Sequence, residues 1–246
     1  MHTYREQGLE LNGPRRLSVV PLPGEPAIDP DGLRELLRDL SGIASRGGFS
    51  SGTAPAELAV VRVGAERTTV FADLRCSGLD ARFVNCVISA LAVNDPDETV
   101  DTVVLAAPSG GPPPVVPQPH EIEEDTVYPE RRDTLAFRLM IDTTVTSRLR
   151  RLVVTYPHAV TRDDLARLGD WIGPWAAALE AGAFVLPHEA PAEAVNVHAG
   201  VQLFEKDSAE IVVDRFDSYD EAFDILLNML DQYSRMVDRI DKVELF

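Results

Sequence analysis

The chain reads as an α+β protein built from two tandem copies of one unit, each with the element order β-α-β-β-α-β behind an extra leading strand. Three observations predict this. Ala54-Pro55-Ala56-Glu57 recurs as Ala190-Pro191-Ala192-Glu193, and a glycine follows seven residues later in each copy, at Gly64 and Gly200. Flanking matches extend the repeat: Arg15-Arg16-Leu17 with Arg150-Arg151-Leu152, Leu22-Pro23 with Tyr156-Pro157, Arg75 with Arg215, Phe83 with Phe223, and Val100-Asp101 with Ile240-Asp241. The offset drifts from 135 to 132 to 136 to 140, as insertions and deletions in loops would produce. Third, strand-like and helix-like periodicities alternate in the same order in both copies. A repeat of roughly a hundred residues is too long for a solenoid unit and fits a domain-sized half.

In the first copy, Leu9-Glu10-Leu11 leads through Asn12-Gly13 into Arg16-Leu17-Ser18-Val19-Val20. Asn-Gly between two such runs predicts a hairpin. Prolines from Pro21 to Pro26 end the strand, and Asp29-Pro30 opens a helix as N-cap and first helical residue. Leu33, Leu36, Leu37, Leu40 and Ile43 form one apolar stripe, and Gly47-Gly48 closes the helix. Strands are expected near 57–63 and 68–75 around a turn at 64–67, then a helix over 79–93 and a β-branched strand at 102–106.

In the second copy, Leu135 to Ile141 and Leu149 to Thr155 are expected to pair as leading strands. Thr161-Arg162-Asp163-Asp164 has a capping-box pattern ahead of the stripe Leu165, Leu168, Ile172, Trp175 and Leu179. Gly173-Pro174 should kink or split that helix, because proline lacks the amide donor and clashes with the preceding turn. Strands near 194–204 and 209–215 follow. Another capping box at Ser218 to Glu221 opens a helix carrying Phe223, Leu226, Leu230 and Tyr233, and Val243 to Phe246 closes the unit.

This order is the ferredoxin-like split βαβ pattern, an antiparallel sheet with two helices on one face. Two such halves, at 1–107 and 134–246, are expected in a pseudo-twofold arrangement with a cleft between them. Residues 108–133 join them. Pro108 to Pro119 holds six prolines and His120 to Asp125 is acidic, the composition of an extended spacer.

The net charge of -17, from 40 acidic and 23 basic residues, opposes binding to nucleic acid and to anionic membranes. No apolar run approaches the ~20 residues that span a bilayer, and the N-terminus lacks the apolar stretch of a secretory signal. Cys76 and Cys86 have no metal or redox spacing and read as thiols of a reducing cytoplasm. The basic residues are nearly all arginine, which with abundant Ala, Gly and Pro fits a GC-rich bacterial genome.

No H-x-x-x-H, H-E-x-x-H, C-x-x-C, D-x-D-x-D-G, G-x-S-x-G, G-x-x-x-x-G-K or G-x-G-x-x-G occurs. The expectation is no metal, no cofactor and no nucleophile. Two functional readings follow. The first is a non-catalytic, acidic, cytoplasmic protein that captures a basic protein or peptide, in the manner of an inhibitor, immunity factor or chaperone. The second is an enzyme or small-molecule-binding protein with its site in the cleft between the halves. That site would use side chains gained by the second copy: Tyr156, His158 and His198 for chemistry, and Trp171, Trp175 and Asn196 for binding. His158 stands where the first copy has Gly24, at a strand end beside a helix N-terminus. His198 stands where the first copy has Arg62, and it shares a strand face with Asn196. Trp171 and Trp175 lie one turn apart where the first copy has aliphatics.

Overall fold

A computed structural model describes residues 2–5, 11–26, 28–50, 54–95, 98–107, 134–142, 149–185, 198–214 and 221–246. These form four helices and two antiparallel-rich sheets, an α+β architecture. The elements are β1 His2–Arg5, β2 Leu11–Pro21, α1 Pro30–Ser45, β3 Glu57–Glu66, β4 Thr69–Leu79, α2 Ala81–Val93 and β5 Val100–Ala106. After them come β6 Arg138–Ile141, β7 Arg150–Thr155, α3 Arg162–Glu180, β8 His198–Glu205, β9 Ser208–Asp214, α4 Glu221–Met236 and β10 Lys242–Leu245.

The first sheet has the order β1-β5-β2-β4-β3 and the second β6-β10-β7-β9-β8. In each, one edge strand is parallel to its neighbour and every other pair is antiparallel. Leu17 sits between Leu105 and Ala72, and Leu152 between Leu245 and Ile211. Strand alternation sends Leu17 and Val19, like Leu152 and Val154, into the interior, where all are buried.

Asp29 caps α1, its carboxylate accepting from the amides of Asp31 and Gly32, with Pro30 inside the first turn. The capping box of α3 is complete, with Thr161 and Asp164 bonded reciprocally. α1 rests on β3 and on α3, and α3 rests on β8 and on α4. Every residue of α4 from Ala222 to Tyr233 is buried, so this helix has no solvent face along three turns. A single apolar cluster runs through all four helices and both sheets.

Three local expectations are corrected. Asn12-Gly13 makes no hairpin: β2 runs straight through it, Gly13 adopts φ 79°, and the register against β4 shifts between Leu11 and Gly13. The left-handed conformation that Asn-Gly favours is used for a β-bulge, and the Asn12 side chain accepts from the Gly78 amide at 2.8 Å. The leading strand of the second copy does not pair with β7 either, and β1 at His2–Arg5 is a strand the sequence reading did not place. β4 and β5 already occupy both edges of β2, and β9 and β10 those of β7, so β1 and β6 join the sheets beside β5 and β10. Finally, α3 is not split at Gly173-Pro174 but continues through it, with Gly42 of α1 lying against the proline ring. The linker 108–133, residues 194–197 and Ser218 to Asp220 lie outside the described residues.

Candidate functional site

β7 delivers Tyr156-Pro157-His158 to the start of α3. The segment is tied to the β8–β9 turn by Tyr156 N–H donating to Asp207 O (2.9 Å) and Val160 N–H to Lys206 O (2.8 Å). Asp238 arrives from the far end of α4, where its amide donates to Tyr233 O at 3.1 Å. His158 Nε2 lies 3.6 Å from Asp164 Oδ2 and 3.6 Å from Asp238 Oδ2. Arg167, one turn into α3, pairs with Asp164 and reaches Asp238 at 3.5 Å.

The Tyr156 ring lies 5.5 Å from the His158 ring, and Tyr233 packs edge-on against Trp171 at 5.7 Å. The hydroxyls of Tyr156 and Tyr233 come near each other and near this charge cluster, yet neither closes a hydrogen bond of acceptable geometry. Burial is the main reason both phenols titrate above their ordinary value, with Asp238 adding to it, so both remain donors. Burial works against the Asp164 carboxylate too. Hydrogen bonds from Thr161 and the nearness of Arg167 and His158 outweigh it and hold Asp164 below the usual carboxylate range.

The other sequence-derived candidates are placed differently. Trp175 is fully buried against Phe184 and Phe223, with Nε1 donating to Ala222 O at 2.8 Å. A side chain with no exposed surface and a satisfied N–H fills the core and cannot meet a ligand. Trp171 is half-buried, donates to Met229 O at 2.8 Å and lies under the Arg46 guanidinium at 5.5 Å, so it joins α3 to α1 and α4. Asn196 lies outside the described residues. His198 begins β8 opposite Asp214, whereas Arg62 is opposite Asp73; reckoned by register from the central strands, His198 is level with Ala59 and not with Arg62. The difference arises because β3 carries a bulge between Val60 and Arg62, and the β8 irregularity falls elsewhere. Cys76 is buried, and that burial pushes its thiol up to about 11, which leaves it inert at neutral pH.

A cleft of about 470 Å³ opens where α1, the end of α2 and the end of α3 meet. Leu33, Leu36 and Leu91 are among its apolar lining, and Asp29, Glu35, Asp39 and Asp95 face Arg38 as its charged groups. Asp29 and Asp95 spend their oxygens on backbone amides. Glu35 and Asp39 stand one turn apart on α1, a like-charge spacing that weakens a helix by a few tenths of a kcal/mol. Burial, then the Glu35 charge, raises the Asp39 carboxyl against the pull of Arg38. Tyr156, His158, Trp171 and Trp175 are not among the lining residues of this cleft. The i, i+4 acid pair was a local signal in the sequence. Arg167, Tyr233 and Asp238 carried none, since their role depends on tertiary approach.

No protein-family model matches the chain, and no curated protein matches it. Among the described residues, no helix is long and apolar enough to cross a membrane.

Proposed function

We propose that the chain is a cytoplasmic, duplicated binding protein: two ferredoxin-like halves on a pseudo-twofold axis, with an acidic cleft at their junction that takes a cationic segment of a protein or peptide. The observation that carries this is the cleft itself, with Glu35 and Asp39 set over an apolar floor. An apolar floor under carboxylates matches the long aliphatic stem and charged head of lysine or arginine. The duplication is supported by the like strand order of the two sheets and by Gly42 meeting Pro174, residues 132 apart in the matched helices.

Affinity purification from the native host with the full chain as bait should yield a basic partner that high salt releases. The Glu35→Gln/Asp39→Asn double variant should retain several-fold less of it. Recovery of neutral small molecules alone, or equal retention by the double variant, would refute this reading. The enzyme or small-molecule reading is favoured by a different observation, the buried Tyr156 and Tyr233 hydroxyls that close no hydrogen bond of good geometry near His158, Asp164 and Asp238, and its site would lie at the start of α3.

A further inference from the structure

We infer that His158, Asp164 and Asp238 form a binding site for one divalent transition-metal ion of the zinc, cobalt or manganese class. One imidazole nitrogen and two carboxylate oxygens are a donor set that such ions take, with further positions open to water. Tetrahedral bonds of about 2.0–2.1 Å place donors roughly 3.3–3.4 Å apart. The 3.6 Å separations from Nε2 to each carboxylate oxygen are that spacing slightly relaxed. The ligand atoms all lie within 4.8 Å of one another.

A second observation points to a bound group. Tyr156 and Tyr233 are 2% and 0% exposed, and their hydroxyls approach each other, Arg167 and the two carboxylates, yet neither closes a hydrogen bond of good geometry there. An ion-pair network of Asp164, Arg167 and Asp238 does not need these donors. A metal-bound water or the outer carboxylate oxygens would use them, as donors around a metal site commonly are used.

Arg167 is the resident cation when no metal is bound. Its single charge bridges two carboxylates, which leaves the cluster one negative charge in excess while His158 is neutral. A divalent ion balances the carboxylates fully, and the Arg167 side chain, 52% exposed, has solvent to swing into. The His158 side chain, 42% exposed, gives the ion its way in. Arg167 is therefore a competitor of the metal and not a supporter of it. This inference is independent of the cleft, which lies at the other end of α3.

The test uses the full, untagged chain stripped with chelator and titrated with Zn2+ by calorimetry and with Co2+ by visible absorption. Wild type should take up one equivalent with the d–d bands of a low-coordinate Co2+ site. His158→Gln and Asp238→Asn should each weaken binding by at least about tenfold. Arg167→Ala should tighten it. Circular dichroism melts on each variant separate loss of the site from loss of the fold. No uptake by wild type, or unchanged affinity in folded His158→Gln, would overturn the assignment. Weaker or unchanged binding in Arg167→Ala would overturn it as well, because the cluster would then be an ion-pair network only.

Discussion

Glu221, at the start of α4, shares a buried site with Arg82, Asp80 and Asp224, and accepts from Asn85 Nδ2 at 3.4 Å. Arg82 is committed to Asp80 through two nitrogens, so three carboxylates surround one guanidinium. Burial is the largest influence on Glu221 and pushes it up to about 7 from 4.5. The sign follows from linkage: the native state holds a proton that the unfolded chain has released between about pH 4.5 and 7, so stability is lost as pH rises through that window. At about 1.4 kcal/mol per pKa unit, the loss by pH 8 is about 3 kcal/mol. Glu221→Gln should match wild type near pH 4.5 and exceed it by about that amount at pH 8 in urea unfolding. A difference between the two that does not vary with pH would contradict it. At this scale the sequence is legible in part. Comparing the two similar segments of the sequence singles out Tyr156, His158 and Trp171, and capping chemistry singles out Asp164. Asp238 is 80 residues from His158, and Tyr233 reads as one more member of an apolar stripe, so only the folded chain brings them together.

Helix α1 carries Gly42 where alanine would ordinarily favour the helix by about 1 kcal/mol. A Cβ there would sit 2.7 Å from Pro174 Cγ, and the contact lies between two helix backbones with little room to move apart. Proline within α3 removes one helical hydrogen bond and projects its ring, and Gly42 gives that ring its place. Gly42→Ala should therefore destabilise the protein, by roughly 1–3 kcal/mol as overpacking does, where propensity alone predicts a gain. Adding Pro174→Ala should recover part of the loss, read as a favourable coupling in a double-mutant cycle by denaturant midpoint. A stabilised Gly42→Ala single variant would show that the helices part without cost. Elements set by their own chemistry, such as α1 with its Asp29 cap and α3 with its capping box, were legible in the sequence. Asn12-Gly13 was not, because a turn signal states which backbone angles are easy and not whether a strand edge is free to pair.

Residues before the 108–133 segment and residues after it share one core. Between them, Asn94 Nδ2 donates to Ala181 O at 3.0 Å, Asn228 Nδ2 reaches Gly48 O at 3.4 Å, and a Cβ on Gly47 would meet Gln232 at 2.4 Å. Domains joined in one chain usually meet over modest, polar surfaces and can fold alone. Here α4 is buried on every side, so separating the halves would expose apolar surface and buried amides together. The full chain should unfold in a single cooperative transition, with calorimetric and van't Hoff enthalpies equal. Residues 1–107 and 134–246 produced as separate chains should each lack a sharp melt, because each loses the partner surface that completes its core. Mixing them at high concentration should restore a 1:1 complex with the near-ultraviolet circular dichroism of the buried Trp175, since joining them in one chain chiefly raises their effective concentration. Two resolved transitions in the full chain, or two monomeric halves that each melt sharply alone, would show that the shared core contributes little. The cleft would then be a seam between independent domains, and its width would vary with their motion instead of being fixed by α1 against α3.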